Sequence, residues 1–155
     1  MISSKTSFIA LIGNPVSHSL SPIMQNAALQ YLGLDLIYIA IPCKGEDLEL
    51  VLNSLKKINC KGLNITIPYK EKVFNLCSEI SPIANKLKAI NTLKLNSEKE
   101  WSATNTDVEG FIYPLKKIQL NKKAINCSWL RWCSSICYSR INKFKSCYNF
   151  SGFEK

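Results

Sequence analysis

Seven polar side chains in three short segments have the types needed to grip and act on a small polyhydroxylated acid. They are Ser19 and Ser21 in GNPVSHSLSP (13–22), Asn64, Thr66 and Lys70 in NITIPYK (64–70), and Asn91 and Asp107 in AINT (89–92) and NTD (105–107). Two hydroxyls two residues apart, in a loop that opens a helix, can converge with the helix's first amides on a carboxylate. Polar groups on a buried strand, as at Asn64 and Thr66, need a hydrogen-bonding reason to be there. A lysine just past such a strand acts as a general acid or base when its ammonium is partly desolvated and paired. Asn91 adds an amide able to hold hydroxyls, and Asp107 a carboxylate able to orient a cation.

Each segment also has a plain structural reading. Ser21 before Pro22 is explained as a helix cap, with Pro22 at the first helical position, and Asn-Thr-Asp before a helix is common capping chemistry. A lysine taken singly faces solvent, and His18, the only histidine, reads as a loop residue. What favours chemistry is the combination, in one order and at compatible spacing.

The elements that must position these groups follow from the pattern. Residues 7–12 (SFIALI) form a short apolar strand ahead of Gly13, and SLSPIMQNAALQYLG (19–33) follows as a helix capped at Ser21, with apolar residues recurring at Ile23, Ala27, Ala28 and Tyr31 and Gly33 as a left-handed stop. Residues 36–41 read as a strand, 46–58 as an amphipathic helix and 62–67 as a third strand, in which Asn64, Thr66 and Pro68 share one face and Ile65 and Ile67 the other. Ser81-Pro82 starts a short helix, 90–95 is a strand, and 106–118 is a helix disturbed at Pro114. The order predicts an α/β fold: a three-layer domain with a mainly parallel mixed sheet flanked by helices. All three polar segments are expected at carboxyl ends of strands, where open α/β sheets bind ligands.

Composition bounds the rest. The 155 residues suffice for one domain, and 46% hydrophobic with 20% charged residues is ordinary for a globular protein. No window approaches the roughly 18 apolar residues that span a bilayer, and the first residues lack a basic region leading into an apolar stretch, so no membrane is expected and the expected compartment is the cytoplasm. The net charge of +9 is uneven: residues 1–120 carry 13 Lys/Arg against 10 Asp/Glu, and residues 121–155 carry 7 against 1. Basic charge among Trp129, Trp132, Tyr138 and Phe144 would suit a nucleic-acid surface, but no binding motif accompanies it, and no nucleic-acid partner is expected. Cys43, Cys60 and Cys77 read as reduced thiols. Cys127, Cys133, Cys137 and Cys147 lack a CxxC pair, so neither a metal site nor a disulfide framework is expected.

Together, GNPVSHSLSP, KGLNITIPYKE, AINTL and NTDVEGF resemble the substrate-binding domain of the shikimate dehydrogenase family over roughly residues 7–120. The resemblance implies that Ser19, Ser21 and Thr66 hold the carboxylate of shikimate or 3-dehydroshikimate, and that Asn64, Asn91, Lys70 and Asp107 hold the ring hydroxyls. It also implies a catalytic pair, with Lys70 giving a proton to the carbonyl oxygen as hydride from NADPH reaches the carbon, and Asp107 positioning the ammonium. A stand-alone shikimate- or quinate-binding module and, less favoured, a basic nucleic-acid-binding protein are the alternatives.

The family pattern calls next for a glycine-rich NADP-binding turn and its Rossmann domain, and neither is seen. No residue of this chain is expected to bind NADP well, and the fragment is expected to be inactive alone. Patterned sequence stops near residue 126, giving an expected division into a substrate-binding domain (1–120) and a linker with a poorly ordered tail (121–155). Tryptophan has only the codon TGG, so reading one base later makes Trp129 and Trp132 glycines. One allowed reading from Lys122 is KKAIVLGSGGA, an apolar strand ending in a phosphate-binding turn. The expectation is a frameshift near residues 125–126.

Overall fold

The computed structural model of the chain describes residues 2–116. The expected boundary at 120/121, the four later cysteines, the tail aromatics and the shifted frame all lie outside the described residues.

Strand β1 (Ser7–Gly13) is followed by helix α1 (Ser21–Tyr31), β2 (Leu36–Pro42), α2 (Leu48–Lys57) and β3 (Cys60–Ile65). A 3-10 turn, Lys72–Leu76, precedes β4 (Glu79–Ile80) and α3 (Pro82–Leu87); β5 (Thr92–Leu95), β6 (Trp101–Thr104) and α4 (Asp107–Lys116) complete the order. The six strands form one sheet in the order β2-β1-β3-β5-β6-β4. β2 and β3 flank β1 in parallel, β5 runs antiparallel to both β3 and β6, and β4 pairs in parallel with β6. The mixed, mainly parallel sheet is therefore as expected.

Alternation along the strands divides the interior in two. Ala10 and Ile12 of β1, with Leu63 and Ile65 of β3, join the larger core around Leu48, Leu52 and Leu55 of α2, Ala84 of α3 and the fully buried Trp101. Leu11 instead joins Leu29 of α1, Val16 and Tyr38 in a smaller core. Helix α1 thus covers one face and α2 and α3 the other, which makes the three layers. Leu48, Leu52 and Leu55 recur at helical spacing, and Glu49 in the first turn with Lys56 and Lys57 in the last complement the helix dipole. The Trp101 indole N–H donates to the Leu52 carbonyl at 3.1 Å, tying β6 to α2.

Several sequence expectations need correction. Leu20, not Ser21, occupies the cap position of α1, without a side-chain cap bond; the Ser21 amide donates instead to the Ser19 hydroxyl at 3.2 Å. The recurring Ile23 and Tyr31 lie 73% and 91% exposed, and α1 meets the sheet through Leu29 and Asn26. β3 ends at Ile65, so Ile67 turns outward with Pro68 instead of continuing the apolar face. Strands β4 and β6 have no counterpart in the pattern reading. Gly33 does adopt a left-handed φ of 64°, and Ser81 does cap α3, its hydroxyl accepting from the Ala84 amide at 3.3 Å. Among the described residues no helix is long and apolar enough to cross a membrane.

Candidate functional site

Backbone hydrogen bonds stitch the three polar segments together at one edge of the sheet. The Thr66 amide donates to the Ile12 carbonyl at 2.9 Å, and the Asn14 amide to the Ile67 carbonyl at 3.1 Å, which fastens the loop after β1 to the segment after β3. The Ile65 amide donates to the Asn91 carbonyl at 2.9 Å and the Ile90 amide to the Lys70 carbonyl at 2.7 Å, adding the segment before β5. The Asn91 amide donates to the Thr104 carbonyl at 3.2 Å, adding β6. Carboxyl ends supply the residues after β1, β3 and β6. Asn91, in contrast, stands at the amino end of β5, which reaches the same edge because that strand is antiparallel.

Gly13 is where the first two segments come closest. A Cβ there would lie 2.3 Å from Thr66 Cγ2, 2.8 Å from Val16 Cγ1 and 3.0 Å from the Ile67 carbonyl oxygen, so only glycine admits this approach.

Lys70 and Asp107 meet, Nζ lying 2.7 Å from Oδ2. The other carboxylate oxygen, Oδ1, accepts from Asn91 Nδ2 at 2.7 Å. Asn91 is only 8% exposed, and its amide orientation is determined by its partners: Oδ1 accepts the Thr106 amide at 2.9 Å, while Nδ2 donates to Thr106 Oγ1 and to Asp107. Both amide hydrogens of Asn91 are thus engaged, so a ring hydroxyl reaching it would share or displace one of these bonds. Asn105, also buried, accepts the Asp107 amide at 3.0 Å and donates to the Ala89 carbonyl at 3.0 Å, in line with the capping reading of Asn-Thr-Asp. Asp107 therefore heads α4 with its backbone and both carboxylate oxygens held. The Lys70 and Asp107 side chains are 22% and 49% exposed. An ion pair so open to solvent contributes only about 0–1 kcal/mol to stability, so its arrangement is better explained by chemistry than by folding.

Ser19, Ser21 and Thr66 lie at the mouth of the same edge, all half-buried. Among the described residues, the hydroxyls of Ser21 and Thr66 have no hydrogen-bond partner, while Ser19 accepts only the Ser21 amide. His18 is exposed. Asn64 points to the α1 side of the sheet, where Oδ1 accepts from the Tyr38 hydroxyl at 2.8 Å and Nδ2 contacts the Asn91 carbonyl and Thr92 Oγ1 at 3.3 and 3.4 Å. Sequence reasoning missed Asn26, Tyr38, Thr92, Asn105 and Thr106 as members of this network. A tyrosine among aliphatic residues in LIYIAI was the available signal, since a buried phenol requires a partner. Burial pushes the Tyr38 phenol up to about 12. It also raises Cys43, Cys60 and Cys77, the last to about 11, so these thiols are not activated nucleophiles.

Residues 11–93 match the family model described as the shikimate dehydrogenase substrate binding domain. The chain is 92% identical over 123 residues to the NADP(+) shikimate dehydrogenase of Prochlorococcus marinus strain MIT 9312, covering 79% of this chain and 43% of that protein. The crystal structure of shikimate dehydrogenase from Aquifex aeolicus superposes with a TM-score of 0.74 at 36% identity, over 79% of this chain and 46% of that one. That of shikimate 5-dehydrogenase from Listeria monocytogenes, in complex with shikimate and NAD, gives 0.72 at 33% identity, over 75% and 40%. The chain thus spans less than half the length of the relatives it matches. With a family-model match over more than half of its residues, the chain belongs to the shikimate dehydrogenase substrate-binding domain family.

Proposed function

We propose that this chain provides the substrate-binding and proton-handling part of an NADP-dependent shikimate dehydrogenase, which interconverts 3-dehydroshikimate and shikimate. The observation that carries the reading is the Lys70–Asp107 pair at 2.7 Å, clamped by Asn91 and opening on the edge that also holds Ser19, Ser21 and Thr66. The hydroxyls of Ser21 and Thr66, unpartnered among the described residues, take the carboxylate of the ligand together with Ser19. Lys70, Asp107, Asn64 and Asn91 face its ring hydroxyls.

In the reducing direction, the Lys70 ammonium gives a proton to the carbonyl oxygen, and in the oxidising direction the amine takes it back. Asp107 keeps the ammonium aimed through the 2.7 Å contact between the two. NADPH supplies the hydride when bound, but the described residues do not fit that dinucleotide. The turn from β1 to α1 has only Gly13, the last residue of β1, at its start, and the turn from β2 to α2 contains only Gly45, so neither forms a glycine-rich phosphate cradle. Substrate positioning and proton transfer are the share assigned to these residues.

We further read residues 1–120 as the substrate-binding domain and residues 126–155 as out-of-frame sequence. The 92% match extends over 123 residues, 79% of the chain, which supports a break near that point. The nucleotide sequence beyond codon 125 tests this directly, because its shifted frame should continue as a dinucleotide-binding domain. Cytoplasmic location accords with the chemistry proposed and is checked by fractionation. A shikimate- or quinate-binding module is the second reading, favoured by all seven candidate side chains lying between Ser19 and Asp107.

The deciding experiment is shikimate-dependent NADP reduction by the frame-restored enzyme and its Lys70→Met variant. We expect kcat to fall about 10²–10⁴-fold, the usual contribution of a positioned acid-base group. An unchanged kcat would remove Lys70 from the chemistry.

A further inference from the structure

The hydrogen bonds behind Asn64 lead away from the ligand edge to α1. Asn26, in the middle of α1, donates through Nδ2 to the Tyr38 carbonyl and accepts through Oδ1 from the Tyr38 amide, both at 2.8 Å. Its Nδ2 also donates to the Pro22 carbonyl at 2.8 Å. β2 is the outer strand of the sheet, with β1 as its one neighbour. The amide and carbonyl of a single strand residue point to the same side, so those of Tyr38 face the open side of β2. The Asn26 side chain therefore acts as a one-rung strand that satisfies an edge peptide and fixes its height. From that peptide the Tyr38 ring, 3% exposed, runs through the smaller core and ends with its hydroxyl on Asn64.

The amide orientation of Asn64 follows from the same contacts. The Asn91 carbonyl can only accept, so the Asn64 atom facing it is nitrogen; Oδ1 faces Tyr38, whose hydroxyl donates. The two bonds on the nitrogen side, at 3.3 and 3.4 Å, are long and weak, while the Tyr38 bond is 2.8 Å. The strong constraint thus lies on the side away from the ligand edge. The weakly held amino group is the one left to exchange a partner for a substrate hydroxyl.

We infer that Tyr38, seated by Asn26, is a positioning residue that holds the Asn64 amide so that Nδ2 is offered as a donor to a ring hydroxyl of the substrate. The inference rests on the assignment of Asn64 to the substrate site. Without the phenol hydroxyl, Oδ1 loses its partner and the amide is no longer restricted to one presentation. Discrimination at one hydroxyl suffers, while affinity for the rest of the ligand does not.

The test measures binding of shikimate and its three monodeoxy analogues, each lacking one ring hydroxyl, to the 155-residue chain and to its Tyr38→Phe and Asn64→Ala variants. The analogue whose affinity is indifferent to Asn64→Ala identifies the hydroxyl concerned. Tyr38→Phe should weaken shikimate about tenfold, as expected when a hydrogen-bonded partner is removed, yet leave that analogue within about twofold. Adding Tyr38→Phe to Asn64→Ala should change nothing further. Equal weakening of all four ligands, or of none, would overturn the inference and mark Tyr38 as a packing residue. Failure of the parent chain to bind shikimate at all would count against the functional reading. The ligand-free nuclear magnetic resonance spectrum then decides separately: Tyr38→Phe should move the side-chain amide signals of Asn64 while leaving the Leu11 and Leu29 methyls in place. Unmoved amide signals, or methyl signals that move with them, would refute the positioning role.

Discussion

Both carboxylate oxygens of Asp107 are engaged, one by Lys70 and the other by Asn91, and each keeps a second lone pair for a ligand hydroxyl. Replacing Asn91 by Asp would set a second carboxylate 2.7 Å from the first and would remove both amide hydrogens now given to Thr106 and Asp107. Like charges at that distance share a proton, and the buried site would resist a second charge. Asn91→Asp should therefore destabilise the fold by about 2–4 kcal/mol near pH 7, with part of the loss regained as the pH falls and the pair takes up a proton. Denaturant unfolding at neutral and mildly acidic pH measures both, and a loss that grew on acidification would contradict this account. Tyr38 behaves oppositely at high pH. Its phenol titrates at about 12 in the fold, above the usual value of 10. The folded state thus holds this proton more tightly, and the resulting stability is present below pH 10 and lost as the pH rises through about 12. Between those values the loss is on the order of 2 kcal/mol. Tyr38→Phe should show a correspondingly shallower alkaline decline; identical slopes would mean that the phenol ionises freely.

At the scale of elements, the close approach at Gly13 links the loop holding Ser19 and Ser21 to Thr66. Gly13→Ala would place its Cβ 2.3 Å from the Thr66 methyl and 3.0 Å from a backbone carbonyl, and the carbonyl cannot rotate away as a side chain can. The expected cost is about 1–3 kcal/mol of stability, with weaker shikimate binding because Thr66 must shift. A variant with unchanged thermal midpoint and affinity would show that the two segments are not coupled. Such couplings also define what the sequence could disclose. Strands β1 and β2 were legible because buried parallel strands are continuous apolar runs, β3 because polar and apolar residues alternate along LNITI, and α2 because its leucines keep helical spacing. β4 has only two residues, and β6 (WSAT) alternates too briefly to show a period. The pattern reading expected every polar segment at the carboxyl end of a strand but showed none ending just before Asp107; β6 is that strand, and it brings Asp107 back beside Lys70. The seven candidate side chains were found because polar types in ordered motifs are visible one at a time. Asn26, Tyr38 and Thr106 stayed hidden because their roles depend on register and on partners between 12 and 26 residues away.

At the scale of the whole molecule, binding and turnover should separate. Every candidate substrate ligand lies between Ser19 and Asp107, and the backbone bonds joining their segments run between Ile12 and Thr104. Shikimate should therefore bind the 155-residue chain without help from the longer part of its relatives. At a ligand concentration about ten times Kd, linkage adds about 1.4 kcal/mol of stability, which for a domain of this size raises the thermal midpoint by roughly 5–10 °C. NADP should add no further shift, since none of the described strand-to-helix turns is glycine-rich enough to offer a dinucleotide a phosphate cradle. The frame-restored enzyme should respond to both ligands and reduce NADP, because there the substrate's proton can pass to Lys70 while its hydride passes to NADP. Differential scanning calorimetry with shikimate, NADP and both, on the two forms, distinguishes the cases. A short chain stabilised by NADP alone would place a nucleotide site within these 155 residues, and one indifferent to shikimate would count against the substrate-binding reading.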